Sequence, residues 1–301
     1  MTLAWLLNLD ADDELAEPER AIQSKLSAPR LKELGVRTGL VAERDVLLAN
    51  DARGDGLAGR AWMPTPRALA RIREAGAIPP PAPTLEVLTR VNHRAFASSL
   101  GIALPGAVFA TDVEAVARAV AGPSPTGAWL LKRPLSFAGR GRRRVAQGAL
   151  DGASRAWIAA SLAAQGGLSV DPEVTRTDDF ALHGHLDRDA TLVLGQPTAQ
   201  TCDARGVWRG SERVAPGDLT EGEHTSLLAA AHAAAAALTS AGYFGPFGID
   251  AFRYRDEAGA TRFLALCEIN ARYTMGWATG MANHRPDREG PPPGEPAETE
   301  P

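Results

Sequence analysis

Lysine is nearly absent from this chain. Only three of its 32 basic residues are lysines, and after Lys32 the sequence holds a single one, Lys132. A bias toward arginine explains the scarcity, but it does not explain where the remaining lysine lies. The formal net charge is −4 and there is no basic tail, so the charge pattern of a nucleic-acid-binding protein is missing. We therefore expect no nucleic-acid partner.

Cysteine and long apolar runs are also scarce. Cys202 and Cys267 are the only two cysteines, too few for a disulfide framework or for a zinc site by themselves. We expect both to be small buried residues in a reducing compartment, most simply the cytoplasm. No apolar run reaches the roughly 18 residues that a membrane-spanning helix needs, and the apolar N-terminus lacks a basic region. The sequence therefore predicts neither a membrane contact nor a signal peptide.

What the chain does contain is enough apolar sequence, 45%, to build a folded core over 301 residues. A proline-rich stretch at residues 78–84 cannot continue a helix or a central strand, so we place a boundary there. Residues 1–84 are predicted to form a small α/β unit. Residues 85–285 mix helices with antiparallel strands, an α+β pattern. Residues 286–301 are rich in Pro, Gly and Glu, and a disordered tail is predicted.

The position of Lys132 suggests an anion site. It ends an apolar strand and is followed by a loop of small residues that includes Ser136, Gly139 and Gly141. Glycines let a backbone approach phosphate oxygens, and an ammonium group neutralises their charge. The loop matches neither a Walker A motif nor a dinucleotide fingerprint. A solvated, arginine-rich turn is the alternative interpretation.

A second polar cluster lies on a predicted hairpin of residues 247–255 and 261–270. Glu268 and Asn270 share one face of their strand, and the neighbouring strand brings Asp250 beside them. Two carboxylates and an amide oxygen form a ligand set that suits Mg²⁺, or Mn²⁺ in its place. Arg272 follows on the same face and presents a guanidinium group to an anion. A hairpin end with solvated charges is the alternative.

Together these segments resemble the ATP-grasp superfamily over most of residues 85–285. The strongest match is Gly-Ile-Asp250 followed by Glu268-Ile-Asn270-Ala-Arg272. The resemblance implies an ATP-grasp fold, in which two α+β lobes grip ATP, preceded by a small α/β domain. It implies that Asp250, Glu268 and Asn270 bind Mg²⁺ and that Arg272 steadies the transferred group. Lys132 would contact the ATP phosphates, and the loop with Ser136, Gly139 and Gly141 would close over them.

The resemblance also implies a nucleotide pocket between the lobes. Asp171 and Val174 lie in the segment that resembles the adenine-binding linker, and Asp179 resembles the acid that holds the ribose. Gln196 and Gln200 are expected to face the nucleotide. Family members usually have a second phosphate-binding lysine near the start of the domain, and this sequence has none there. Arg94, or else Arg90, would have to replace it.

The implied activity is that of a Mg²⁺- and ATP-dependent ligase. ATP would convert a carboxylate into an acyl phosphate, which an amine or a thiol then attacks. The expected partners are small-molecule or peptide carboxylates and amines. A phosphotransferase acting on a hydroxyl, and a nucleotide-binding protein without catalytic activity, remain as alternatives. The sequence allows a homodimer but carries no signal for one.

Overall fold

The N-terminal unit is built on a short parallel sheet. The computed structural model describes residues 1–20, 26–136, 141–202 and 208–289. The sheet has strand order β2-β1-β3. Its elements are β1 (Leu3–Leu6), α1 (Ala11–Ala16), α2 (Ala28–Arg37), β2 (Val46–Leu47), β3 (Ala58–Ala61) and α3 (Pro66–Glu74). Thr65 begins α3 by accepting a hydrogen bond from the Ala68 amide, and Pro66 supplies a fixed first-turn φ.

Two short helices follow the proline-rich residues 79–84. They are α4 (Leu85–Asn92) and α5 (Arg94–Ser98), where the sequence predicts one helix over 85–100. His93 interrupts it with an extended backbone, ψ 131°, and its Nδ1 accepts a hydrogen bond from the Ala95 amide at 3.3 Å. The single-helix prediction is wrong because this side chain begins a second helix. Arg94 becomes the first residue of α5, and its amide donates to the Pro134 carbonyl oxygen.

The first lobe is a four-stranded antiparallel sheet with order β4-β7-β5-β6, covered by two helices. Its elements are β4 (Val108–Ala110), α6 (Val113–Ala121), β5 (Ala128–Lys132), β6 (Arg142–Ala146), α7 (Gly152–Gln165) and β7 (Leu168–Pro172). Asp112 begins α6, as a carboxylate before an apolar helical segment predicts, because its Oδ1 accepts a hydrogen bond from the Ala115 amide at 2.7 Å. Trp129, Leu131 and Ile158 pack in the core between sheet and helices.

The second lobe is a larger antiparallel sheet with order β11-β10-β8-β12-β13, and β9 pairs with β8. Its elements are β8 (Thr175–Leu186), β9 (Leu192–Leu194), β10 (Thr198–Cys202), β11 (Trp208–Arg213), α8 (Glu221–Ser240), β12 (Gly245–Arg255), β13 (Thr261–Asn270) and α9 (Trp277–Gly280). The predicted hairpin is confirmed: β12 and β13 pair with Asp250 opposite Glu268 and Gly248 opposite Asn270. The α+β class is therefore confirmed as well.

The N-terminal unit and the second lobe share one hydrophobic core. Trp5 of β1 packs edge-on against Tyr273, with ring centroids 5.1 Å apart, and Tyr273 packs in the same way against Trp277 at 4.9 Å. The Tyr273 amide donates to the Trp62 carbonyl oxygen. Trp5 and Trp277 are fully buried. The unit is therefore fixed against the lobe by apolar packing.

Residues 286–289, which the sequence assigns to the tail, are folded onto the N-terminal unit. Pro286–Arg288 forms a 3-10 helix in which Asp287 is buried. Arg288 Nη2 lies 2.7 Å from Oδ2 of Asp45, whose side chain is fully buried. This pairing joins residues 286–289 to the N-terminal unit, and residues 290–301 lie outside the described residues. No helix in the described part of the chain is long and apolar enough to cross a membrane.

Candidate active site

A deep cleft separates the sheets of the two lobes. The volume of the cleft, including the open space at its mouth, is about 1060 Å³. The cleft continues into a second pocket with a volume of about 1190 Å³. Most of the predicted site residues lie on its walls: Arg94, Lys132, Ser136, Asp171, Val174, Asp179, Asp250 and Glu268. The structure therefore brings together residues that are as many as 174 positions apart in the sequence.

The remaining predicted residues lie elsewhere. Gly139 falls outside the described residues. Gly141 has φ +62°, a conformation that favours glycine, and its carbonyl oxygen accepts from the Arg133 amide at the base of the loop. Asn270 and Arg272 lie behind Asp250 and are buried.

Two carboxylates face each other across the β12–β13 hairpin. Directly paired residues of antiparallel strands point to the same face, so Asp250 lies beside Glu268. Burial, and then the negative charge of Glu268, raises the pKa of Asp250 to about 6. The hydrogen bonds to Asp250 come from two neutral amides, Gln200 Nε2 at 3.0 Å and Asn270 Nδ2 at 2.9 Å. The pair therefore retains negative charge that a cation would compensate.

This donor set fits a divalent metal ion. Mg²⁺ binds carboxylate and amide oxygens and keeps several waters or phosphate oxygens. In the described residues, no group of three or more His, Cys, Asp and Glu side chains is arranged to hold a metal. The candidate ligands are Asp250 and Glu268, with the Asn270 amide oxygen as a third, and so small a set suits an ion that shares its coordination with a substrate. In the structure the amide oxygen accepts from Arg272, and the amide nitrogen donates to Asp250.

Arg94 occupies the place between the carboxylates and the first lobe. Its Nη2 lies 3.1 Å from Oε1 of Glu268, and its Nε donates to the Arg133 carbonyl oxygen at 3.2 Å. Burial raises the pKa of Glu268, but attraction to Arg94, Arg272 and Lys132 outweighs it and the net shift is downward. Glu268 is therefore ionised next to a fixed guanidinium group.

Lys132 and Asp171 form an ion pair on the wall of the first lobe. The two strands pair with Lys132 opposite Ser169, so Asp171 lies two residues along on the same face. Lys132 Nζ is 3.0 Å from Asp171 Oδ2, and Ser169 Oγ donates to the same oxygen at 2.9 Å. Burial raises the pKa of Asp171, but Lys132 outweighs it and the pKa is lowered. The Asp171 side chain, predicted to contact adenine, is therefore paired with Lys132.

Two further cations, which the sequence motifs do not predict, line the cleft. Arg176 lines both pockets, donates to Asp179 Oδ1 at 3.1 Å and lies 3.8 Å from the Phe252 ring centroid. Arg142, opposite Lys132 in the sheet, lines the second pocket. The sequence predicts a strand only from Phe180, so Arg176 is read as linker. Extending the alternating strand pattern back to Thr175 would have placed Arg176 in this strand.

The two cysteines differ from the expectation. Cys202 is exposed, so its predicted burial is wrong. Strict alternation along the strand predicts that Cys267 points to the face opposite Glu268. In the structure the pairing register shifts between the Asp250–Glu268 and Phe252–Leu264 pairs, and Cys267 lines the cleft. A bulge redirects side chains in this way and leaves no clear trace in the sequence. Burial raises the pKa of the Cys267 thiol to about 12.

Arg272 is held behind the two carboxylates. Its side chain is only 10% exposed. Nη1 donates to Asn270 Oδ1 at 2.7 Å, and Nη2 lies 3.2 Å from Oδ2 of Asp12, which α1 contributes. Nothing in the sequence pattern connects Asp12 with this site.

Comparison with solved structures identifies the fold. D-alanyl-alanine synthetase A from Vibrio cholerae superposes with TM-score 0.54 at 13% identity, over 93% of this chain and 91% of that one. Biotin carboxylase from Campylobacter jejuni gives TM-score 0.55 at 13% identity, over 93% and 67%. An N5-carboxyaminoimidazole ribonucleotide synthetase bound to ADP gives 0.50 at 14%, over 91% and 71%.

No protein-family model and no curated protein sequence matches the chain. The three structures are ATP-grasp enzymes, and their likeness extends over nearly the whole chain. The chain therefore has the ATP-grasp fold, as the motifs around Asp250 and Glu268 indicate.

Proposed function

We propose that this protein is a Mg²⁺-dependent ATP-grasp ligase. The observation that carries the proposal is the cleft between the lobes, where the buried carboxylates Asp250 and Glu268 face each other beside the cations Arg94 and Lys132. Fixed charges in a partly closed cleft suit phosphoryl transfer, which depends on positioning and charge neutralisation.

Each group of residues has a distinct role in this proposal. Lys132 and Arg94 neutralise phosphate oxygens, and Arg176 adds a third positive charge on the same cleft. Asp250, Glu268 and Asn270 hold the metal ion, which supplies charge compensation when it is bound. Val174 and Asp179 line the cleft where the linker enters the second lobe, and we assign them to the base and the ribose.

The reaction proposed joins a carboxylate to an amine or a thiol. The carboxylate oxygen attacks the γ-phosphorus of ATP, the bond to the β-phosphate oxygen breaks, and ADP leaves. The nucleophile then attacks the acyl carbon and loses its proton, and inorganic phosphate departs. The acceptor supplies the nucleophile, so no reactive side chain is needed, which agrees with the raised pKa of Cys267. A D-alanyl-alanine synthetase shares this fold, and this favours a ligase.

We infer that the protein works in the cytoplasm, where ATP is available. Cys202 and Cys267 are both free thiols, as a reducing compartment allows. The proposed substrates are small carboxylates and amines, because the cleft volume of about 1060 Å³ suits a nucleotide and small reactants.

ADP release tests the proposal. Purified protein with Mg²⁺ and ATP is screened against panels of amino acids and small peptides, and products are identified by mass spectrometry. A condensed product with equal amounts of ADP and phosphate supports a ligase. A stable phosphorylated product without condensation would support the phosphotransferase. Binding of ATP with no turnover on any panel would support a nucleotide-binding protein.

Glu268→Gln gives the matched variant for the same screen. We expect turnover to fall at least about a hundredfold. Substituting a residue that only orients a metal ligand lowers metal affinity or activity by about 10–100-fold, and this substitution removes a charged ligand itself. The amide keeps the shape of the side chain but leaves Arg94 without its charged partner, so the free energy of unfolding is measured alongside turnover. Unchanged turnover in this variant would refute the metal assignment.

A further inference from the structure

A series of polar contacts connects the N-terminal unit to the candidate metal site. Asp12 Oδ2 on α1 is 3.2 Å from Nη2 of Arg272. Nη1 of Arg272 donates to Asn270 Oδ1 at 2.7 Å, and Asn270 Nδ2 donates to Asp250 Oδ2 at 2.9 Å. A carboxylate that belongs to neither lobe therefore lies two contacts away from one proposed metal ligand, Asn270, and three away from another, Asp250.

The Asp12–Arg272 pair is costly to bury. Their side chains are 5% and 10% exposed, and burial raises the pKa of Asp12 against the attraction of Arg272. Buried ion pairs often give no more stability than apolar side chains of the same volume, because desolvation offsets the attraction. Stability alone is thus a weak account of why these charges lie here.

The backbone beside Arg272 is fixed independently. Asn92 on α4 accepts a hydrogen bond from the Ala271 amide at 2.9 Å through Oδ1, and its Nδ2 donates to the Leu88 carbonyl oxygen at 2.9 Å. The guanidinium group donates to the same Asn92 oxygen through Nη1 at 3.4 Å, and its Nη2 lies beside the carboxylate of Asp12 in the N-terminal unit. The direction of the guanidinium group therefore depends on α1 as well as on α4.

The direction of the Asn270 amide decides whether it can serve a cation. Its oxygen has two lone pairs, and Arg272 occupies one of them, so one remains for a metal ion. Its nitrogen can only donate, and here it orients the Asp250 carboxylate. An amide released from Arg272 would no longer have its oxygen held in one direction, and the donor that orients the Asp250 carboxylate would be less well fixed.

We propose that Asp12 is a positioning residue for the metal site. It holds Arg272, Arg272 fixes the Asn270 amide, and the amide fixes Asp250. This inference rests on the proposed function, since it assumes the Asp250–Glu268–Asn270 site. It makes the N-terminal unit a determinant of metal affinity, in addition to any contact with an acceptor substrate.

Metal binding to the full chain tests the proposal without relying on activity. Free Mn²⁺ is measured by electron paramagnetic resonance in titrations of the wild type, Asp12→Asn and Asp13→Asn. We expect the Mn²⁺ dissociation constant of Asp12→Asn to rise about tenfold, the range found for residues that orient metal ligands. Asp13→Asn, the same change at the next residue of α1, should stay within about twofold of the wild type.

A double variant tests the route through Arg272. If Asp12 acts through Arg272, Asp12→Asn combined with Arg272→Gln binds Mn²⁺ as Arg272→Gln alone does. A further tenfold loss in the double variant would overturn the relay. An Asp12→Asn protein that is less stable to urea yet binds Mn²⁺ as the wild type does would overturn it as well, because a purely structural pair gives that result.

Charge-preserving variants cover the case in which Asp12→Asn does not fold. Asp12→Glu and Arg272→Lys keep both charges but change the geometry, and we expect each to weaken Mn²⁺ binding while Asp12→Glu weakens it less than Asp12→Asn. If Asp12→Glu and Arg272→Lys both bind Mn²⁺ with the same affinity as the wild type, the proposal is refuted. A wild-type protein that binds ATP but no Mn²⁺ would instead refute the proposed function itself.

Discussion

At the scale of single residues, the cations of the cleft already have acidic partners. Lys132 pairs with Asp171 at 3.0 Å and Arg94 pairs with Glu268 at 3.1 Å. A nucleotide must therefore share these cations with carboxylates. The nearby carboxylates would also repel phosphate groups, and a metal ion at the proposed site of Glu268 and Asp250 would offset that repulsion.

The role of Lys132 gives a prediction at this scale. Lys132→Ala should raise the dissociation constant for ATP by about tenfold to a hundredfold, because a hydrogen bond to a charged group contributes about 1.5–3 kcal/mol. Lys132→Arg should lose less, since the charge remains. Calorimetric titration with Mg²⁺ and ATP measures both. Lys32→Ala, at an exposed lysine of α2, is the control, and an unchanged dissociation constant in Lys132→Ala would contradict the assignment.

At the scale of elements, two irregularities shape the site. The break at His93 makes Arg94 the first residue of α5, and the register shift in β13 brings Cys267 to the cleft. A continuous helix and a regular strand would direct other side chains there. The break arises from the hydrogen bond of the Ala95 amide to His93, and hydrophobic periodicity shows neither irregularity.

The break gives the second prediction. His93→Ala removes the acceptor of the Ala95 amide, and a lost cap costs about 0.5–2 kcal/mol of stability. Because Arg94 would then be less well fixed, the dissociation constant for ATP should rise about threefold to tenfold. Urea unfolding and calorimetric titration measure the two effects. Ser99→Ala, at the exposed end of the same helix, should change neither. Loss of stability with unchanged ATP binding would show that the break does not position Arg94.

The sequence predicts the hairpin but not its surroundings. Asp250, Glu268 and Asn270 could be grouped because a period of two and a short turn define their register. Arg94 and Asp171 could be predicted as site residues only from the family resemblance. Their ion pairs with Glu268 and Lys132 could not be predicted from the sequence. Asp12 is 260 residues away from Arg272, and no local pattern reports a contact at that separation. Long-range packing decides such contacts.

At the scale of the whole molecule, the N-terminal unit packs directly against the second lobe. It shares a core with the second lobe through Trp5 and Tyr273, and residues 286–289 return to it from the other side. We therefore expect the unit and the second lobe to unfold together, in one transition.

The contact of Arg288 with Asp45 gives the third prediction. Arg288→Ala should lower the free energy of unfolding at pH 7 by about 3 kcal/mol, the lower end for breaking a buried pair, since Arg288 is partly exposed. Burial raises the pKa of Asp45, but hydrogen bonds from Arg288 and from backbone amides outweigh it and lower the pKa below 3.8. That stability is therefore present above pH 3.8 and lost as the pH falls through the lower, folded value.

Urea unfolding at pH 7 and near pH 3 checks this. The difference between the wild type and Arg288→Ala should shrink at the lower pH, whereas Arg44→Ala, at the exposed neighbour of Asp45, should resemble the wild type at both. A difference that does not depend on pH would contradict the ion-pair account.

Asp45 has a further consequence for the path of the chain. One of its oxygens accepts from the Leu3 amide at 3.1 Å, and the other lies 2.7 Å from Arg288. The first strand and the last described helix therefore both contact one carboxylate. A circular permutant that links these segments and opens at the exposed residues 257–260 would keep the three sheets, the cleft and both contacts of Asp45.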